Sequence, residues 1–146
     1  MRLGLAATLG TAVALVFAGA AATGNERASE TLRIVGFAST LGDGTNTPRV
    51  EAPNGGTITR CRDQKALSAI LVIGSIASGS RYQQYWSSRG KTVFMGKTST
   101  LSGGITAPRR VYMGFTKKAT LKNGKYIFQF ILDGRPHVLG SVTRKC

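Results

Sequence analysis

Apolar and polar residues alternate with period two along most of the chain after Thr57, and turn-forming residues interrupt the pattern about every eight to fifteen positions. Such alternation is typical of β-strands with one buried face. No segment has a clear helical stripe. We therefore predict strands at Thr31–Ala38, Thr57–Arg62, Ala66–Ile76, Arg81–Ser87, Lys91–Gly96, Arg109–Thr116, Gly124–Leu132 and Pro136–Arg144.

The segment Ala66–Ile76 is apolar on both faces, so a buried helix is the alternative reading there. Its β-branched residues and its glycine favour a central strand. The last two strands are the clearest hairpin in the chain. Asp133-Gly134 separates them, and both residues tolerate the positive φ angles of a two-residue turn. Gly124–Leu132 alternates so strongly that we expect it to be central in its sheet, with Tyr126, Phe128, Phe130 and Leu132 on one face.

Seven or eight short antiparallel strands can bury one face each in a two-sheet sandwich or in a closed barrel. Trp86 favours the sandwich. It is the only tryptophan, it alternates in phase with Tyr82 and Gln84, and this position suits a side chain packed between two sheets. The competing role for Trp86 is an exposed platform on which a ligand stacks.

The first twenty residues combine one basic residue, Arg2, with an apolar run that ends in small residues. This layout predicts a secretory signal peptide at 1–20, and a retained membrane anchor is the alternative. We expect a disordered start at 21–30 and a single domain at 31–146. A loop at 39–56, rich in Gly, Thr, Asn and Pro, interrupts that domain as either a binding loop or a hinge.

The chain has two cysteines, Cys61 and Cys146, and both lie in the part expected to be exported. In an oxidising compartment, a disulfide is favoured over a metal site, for which this chain lacks partner ligands. The chain-entropy model gives an upper figure of about 4–5 kcal/mol for closing a loop of this length.

The stretches "SRYQQYWSSRGKTVF" and "LKNGKYIFQFILDGRPHVLGSVTRKC" together resemble bacterial extracytoplasmic immunoglobulin-like domains. The resemblance covers Thr57 to Cys146 and implies an immunoglobulin-like antiparallel β-sandwich. It also implies that Trp86 is the core tryptophan and that Tyr126 folds its hydroxyl back onto the preceding loop. Phe128 and Phe130 complete the expected core. Cys61–Cys146 departs from the antibody pattern, because it would join the first strand of this region to the end of the last.

The net charge is +14, and removal of the signal segment would leave about +13. This charge favours an anionic polymer or an acidic protein as partner, although it could serve only to keep an exported protein soluble. We select six basic residues near the ends of predicted strands as candidates for anion or partner binding. They are Arg109, Arg110, Lys117, Lys118, Lys122 and Lys125.

Catalysis has little support in the sequence. The single histidine, His137, fits an ordinary strand or turn position, and Asp133 is explained by its turn. We find no metal-ligand spacing, no phosphate-binding loop with its lysine, and no nucleic-acid recognition motif, and we expect no cofactor.

The leading hypothesis is therefore a secreted or periplasmic, non-catalytic module. It would bind a protein or an anionic component of the cell envelope through loops, an open sheet edge or a basic surface. The rival is an inhibitor that presents Ser39–Gly56 or Ser99–Pro108 to an extracellular enzyme. A structural envelope component is the third possibility. The sequence leaves the oligomeric state open.

Overall fold

The computed structural model describes residues 32–43 and 46–146, so the predicted signal segment and disordered start lie outside the described residues. The described part is all-β and contains nine strands. In chain order they are β1 (Arg33–Ala38), β2 (Thr57–Ile58), β3 (Ala66–Ile73), β4 (Arg81–Ser88), β5 (Lys91–Met95), β6 (Ser99–Thr100), β7 (Arg109–Thr116), β8 (Gly124–Leu132) and β9 (Arg135–Arg144).

The strands form two sheets of unequal width. The narrow sheet has the order β1-β3-β7, and the wide sheet has the order β2-β9-β8-β4-β5, with β6 also paired to β4. All pairs are antiparallel except β2 with β9, which is parallel. β8 lies between β9 and β4, which confirms the central position that its alternating pattern predicts.

The two sheets pack face to face around Trp86, which is fully buried. Its ring lies 4.9 Å from Phe128 within the wide sheet. Across the gap, its ring lies 5.4 Å from Phe115 of β7 and 6.0 Å from Phe37 of β1. Tilted and edge-on aromatic contacts at these separations are favourable beyond the area they bury. The tryptophan of β4 therefore contacts three other strands and links the two sheets, as a sandwich requires.

A buried indole needs a partner for its N–H group, and Gln84 supplies it. The Trp86 Nε1 atom donates to the Gln84 side-chain oxygen at 2.9 Å. The amide nitrogen of Gln84 in turn donates to the backbone oxygen of Gly114 in the opposite sheet at 3.1 Å. One glutamine thus satisfies the tryptophan and bridges the two layers.

The long loop between β1 and β2 lies against the outer face of the narrow sheet. The Ser68 hydroxyl donates to the Thr40 carbonyl at 2.7 Å, and the Tyr112 hydroxyl donates to the Gly42 carbonyl at 3.2 Å. Farther along, Ala52 forms an antiparallel bridge with Phe37. These contacts explain why Ile70 is fully buried although it alternates out of phase with the core residues of β3.

The disulfide Cys61–Cys146 is present, with its Cα atoms 5.8 Å apart and 85 positions apart in the sequence. It lies beside the parallel pairing of β2 and β9, where Ile58 is opposite Arg144. The bond therefore fastens the end of the last strand to the segment that follows the short strand β2. This confirms the predicted pairing, although Cys61 lies beyond the end of β2 and not within the strand as expected.

The prediction of seven or eight strands is slightly low, because it omits β6. β6 has only two residues and lies in a stretch that we expected to be loop. Thr57–Arg62 is also shorter than predicted, since only Thr57 and Ile58 pair with β9. The Asp133-Gly134 turn is as expected, with φ angles of 50° and 82°. The connection before β8 carries the chain from the narrow sheet to the wide sheet.

We predict that Cys146→Ser lowers the free energy of unfolding by about 2–4 kcal/mol, because the unfolded chain regains the freedom of a long closed loop. Chemical denaturation of the oxidised wild type and the variant measures this difference. Cys61→Ser and the double variant should lose the same amount, because each removes the same bond. Identical stability of oxidised and reduced wild type would contradict the prediction.

Candidate anion-binding site

Several basic side chains meet at one end of the sandwich, which we call the basic end. Three segments of the chain form it: the β4–β5 turn, the connection between β7 and β8, and the segment Cys61–Lys65 that precedes β3. The β4–β5 turn is tight, because Arg89 and Gly90 both have positive φ angles of 54° and 74°. This turn directs Arg89 and Lys91 toward the β7–β8 connection.

A cleft of about 640 Å³ opens between the β4–β5 turn and the β7–β8 connection. We call it the basic cleft. Its apolar floor includes Val93, Leu121 and Tyr126. Its charged lining consists of five basic residues, namely Arg89, Lys91, Lys117, Lys118 and Lys122. No carboxylate lines the cleft. All five basic residues are exposed, so their combined potential reaches the solvent and favours an anion.

The floor of the cleft is held by Arg144, the last residue of β9, whose side chain is fully buried. Its Nη1 atom donates to the carbonyls of Leu121 at 2.6 Å and Lys122 at 3.4 Å. Its Nη2 atom donates to the carbonyl of Gln64 at 3.4 Å. Burial lowers the pKa of Arg144, while Tyr126 and Asp63 act in the opposite direction. The guanidinium thus fixes the backbone that carries the lysines and adds positive charge beneath it.

Arg144 is not fully satisfied. Its Nε atom has no hydrogen-bond partner within the described residues. A buried polar group without a partner costs free energy, so the bonds from the two Nη atoms must outweigh that cost. Burial of Arg144 is therefore unfavourable in itself. The hydrogen bonds that it makes to the connection between β7 and β8 offset this cost and fix the backbone there.

Backbone hydrogen bonds hold the β7–β8 connection at both ends. Lys117 N donates to Lys65 O, and Leu121 N donates to Gln64 O, each at 2.9 Å. Within the connection, the side chain of Leu121 is buried. The lysines therefore project from a backbone that is anchored before a ligand arrives, which reduces the ordering cost of binding.

Tyr126, on β8, also contacts the β7–β8 connection at the basic end. Its hydroxyl donates to the Lys122 carbonyl at 2.8 Å, which is the corner hydrogen bond that the resemblance implied. Burial raises the pKa of Tyr126, while the charges of Arg144 and Arg89 oppose that shift. Arg89 is tied to the same connection, because its Nη2 atom donates to the Asn123 carbonyl at 3.1 Å.

The six basic residues selected from the sequence do not form one surface. Lys117, Lys118 and Lys122 line the basic cleft. Lys125 belongs to the same end, on the opposite face of β8 from the buried Tyr126. Arg109 and Arg110 lie at the other end of β7, opposite Ile73 and Val72 at the end of β3.

The sequence-based selection also missed Arg89, Lys91 and Arg144. For Arg144 a signal was present, because it alternates in phase with Val138, Gly140 and Val142 on the buried face of β9. Arg89 and Lys91 could be assigned to a turn from the sequence. Their position opposite the β7–β8 connection depends on the way the two sheets meet.

Other chemistry has little support in the described residues. His137 is half-buried on β9, and burial together with Arg135 lowers its pKa, which Asp133 partly offsets. The part of the chain that the structure describes holds no group of three His, Cys, Asp or Glu side chains that could bind a metal ion. Residues 32–43 and 46–146 also form no apolar helix of membrane-spanning length.

The chain matches no protein-family model and no curated protein at a significant level.

We predict that Tyr126→Phe lowers the free energy of unfolding by about 1 kcal/mol, because the Lys122 carbonyl loses a buried donor. Tyr85→Phe is the matched control, since its hydroxyl contacts Thr92 at the exposed surface and should contribute less. Chemical denaturation of both variants at neutral pH measures the difference. Equal losses for the two variants would contradict the assignment.

The Tyr126 contribution should also depend on pH. Burial raises the pKa of Tyr126 above its ordinary value of 10.0, so the unfolded chain ionises first as the pH rises. The stabilisation is therefore complete below pH 10 and is lost as the pH rises through the folded-state pKa. The stability difference between wild type and Tyr126→Phe should shrink above pH 10. A constant difference up to the alkaline limit of folding would contradict this.

Proposed function

We propose that the protein is an exported, non-catalytic binding module that recognises an anionic polymer through the basic cleft. The observation that carries this proposal is the composition of the cleft, which has five basic residues and no carboxylate in its lining. Because the cleft is open and its cations are exposed, it suits a flexible chain of repeated negative charges better than a small buried ligand.

Export is supported by two independent features. The first twenty residues have the composition of a signal peptide. The disulfide Cys61–Cys146 is consistent with an oxidising extracellular compartment. A secreted or periplasmic location would bring the basic cleft into contact with the anionic polymers of a cell envelope.

We also propose that the sandwich is immunoglobulin-like. The wide sheet contains the order β9-β8-β4-β5, which corresponds to the G-F-C-C′ order of variable-type immunoglobulin domains. β3 and β7 would then be the B and E strands of the other sheet. The hydrogen bond from Tyr126 to Lys122 and the central position of Trp86 further support this interpretation.

The charge distribution supports a binding role over a purely solubilising one. Charges that serve only solubility need no particular arrangement, whereas these five surround a single cleft on an anchored backbone. Both candidate loops of the inhibitor alternative are anchored at one point, which an inhibitory loop also needs, but neither has a feature as specific as the five cations of the basic cleft. Ile105 bridges Ile76, and Ala52 bridges Phe37.

Retention on immobilised heparin, a sulfated polymer, tests the proposal. We predict that the mature protein is retained at about 150 mM salt and elutes as the salt rises, because exposed charges are screened. Lys117→Gln/Lys118→Gln should bind heparin about tenfold more weakly, since each exposed charge contributes up to about 1 kcal/mol. Inorganic polyphosphate in solution serves as a second probe, which distinguishes phosphate from sulfate preference.

The matched control is Arg33→Gln/Arg135→Gln, which removes the same charge from exposed residues at the opposite end of the sandwich. This variant should bind heparin nearly as well as the wild type. Equal weakening by the two double variants would mean that net charge alone governs binding, and would overturn the assignment to the basic cleft. A lack of retention at physiological salt would remove the polymer hypothesis itself.

A further inference from the structure

The narrow sheet ends at β7, and among the described residues no strand pairs with the outer edge of β7. The wide sheet continues opposite this edge as β4 and β5. The sandwich is therefore open along one side, where a fourth strand of the narrow sheet would lie. An open edge presents unpaired backbone donors and acceptors to another chain.

The hydrogen-bond pattern shows which residues face this edge. Lys117 N donates to Lys65 O on the β3 side. Because neighbouring residues of an antiparallel strand point their backbone groups to opposite sides, Arg110, Tyr112, Gly114 and Thr116 present theirs outward. Two of the outward carbonyls accept side-chain donors, Gly114 from Gln84 and Arg110 from Thr47. Each of these carbonyls has a second lone pair, so a strand amide can donate to it while the existing contact and the pairing of β7 with β3 are kept.

A groove of about 490 Å³ runs beneath the open edge, between β7 and the segment from Phe94 to Leu101. Most of its lining is apolar or aromatic and comes from both sheets. This part of the lining includes Tyr82, Phe94, Leu101, Ile105, Val111 and Met113. Side chains from an added strand would point alternately into this groove and out to solvent.

The chain between β5 and β7 does not occupy the place of a fourth strand beside β7. β6 pairs with β4 of the wide sheet, and Ile105 bridges Ile76 beyond the end of β3. The segment thus passes around the groove rather than along β7. As a result, no strand of the described residues covers the edge or the groove.

The charges around the groove indicate what kind of strand would fit. Lys97 and Arg109 line it, and no carboxylate does. Arg110, the next residue along β7, is also exposed. An occupant with apolar residues facing inward and acidic residues facing outward would match both the groove and its rim. A second copy of this basic chain would place like charges together.

We propose that the outer edge of β7 and the groove beneath it form a docking site for an extended peptide segment in which apolar and acidic residues alternate. The peptide adds to the narrow sheet as a fourth strand, with backbone hydrogen bonds to Tyr112 and Gly114. Its apolar side chains enter the groove beside Met113 and Leu101, and its carboxylates face Lys97 and Arg109. This site lies apart from the basic cleft and does not depend on its function.

The test uses a synthetic nine-residue peptide, blocked at both termini, in which valine alternates with glutamate. Its control has the same composition with the valines in one block, so net charge is equal and alternation is lost. Titration calorimetry should show the alternating peptide binding at least tenfold more tightly than the control. Amide hydrogen exchange followed by NMR should show new protection at Tyr112 and Gly114.

Two variants localise the binding. Met113→Asp introduces a carboxylate into the groove and should weaken the alternating peptide at least tenfold. Met95→Asp is the matched control, because Met95 is 56% exposed and does not line the groove, so affinity should be unchanged. If Met113→Asp proves unstable, Lys97→Glu reverses a charge at the exposed rim and should also weaken binding.

Equal affinity for the alternating and block peptides would overturn the proposal, because binding would then follow charge alone. Protection elsewhere on the protein would also overturn it. A concentration-dependent dimer that protects the same β7 amides and excludes the peptide would assign the edge to a second copy of the chain instead.

Discussion

The basic cleft depends on the buried guanidinium of Arg144. This side chain binds the carbonyls of Gln64, Leu121 and Lys122, and so joins the segments that precede β3 and β8 to the end of β9. The disulfide of Cys146 holds the same end two residues later. A buried charge thus supports the end of the sandwich at which five exposed basic residues line one cleft. The lysines of the β7–β8 connection project from a fixed backbone because of this arrangement.

The unequal width of the two sheets explains why one side of the sandwich is closed and the other has an uncovered groove. Trp86 and Gln84 join the sheets at the centre, where three strands face six. At one edge of the wide sheet, β2 and the disulfide secure β9. At the other side, β4 and β5 extend beyond β7 and leave the apolar groove uncovered. The protein therefore has two separate surfaces of different chemistry. One is the positively charged basic cleft at the end of the sandwich, and the other is the unpaired backbone edge of β7 along its side.

Local patterns were sufficient to predict most of the fold. The period-two alternation located the long strands, and the bounds of β7 and β8 agree with the prediction. Two cysteines allowed one pairing. The composition of the basic cleft was harder to predict from the sequence. Arg89 and Lys117 are distant in sequence, and they come together only because the chain passes between the two sheets. Arg109 and Lys117 are closer in sequence, yet an eight-residue strand places them at opposite ends. β6 was missed because its two residues carry no periodic signal.

We propose that anions bind at the basic end because its lysines project from a backbone that is already anchored. The most direct measurement is an NMR titration of the ¹⁵N-labelled mature protein with a heparin-derived hexasaccharide at about 150 mM salt, a condition that screens weak surface contacts. We predict saturable shifts that are largest for the amides of Arg89–Lys91 and Lys117–Asn123, with little change at Arg33 and Arg135. Shifts spread evenly over the basic residues, or largest at the opposite end, would contradict anion binding at the basic end.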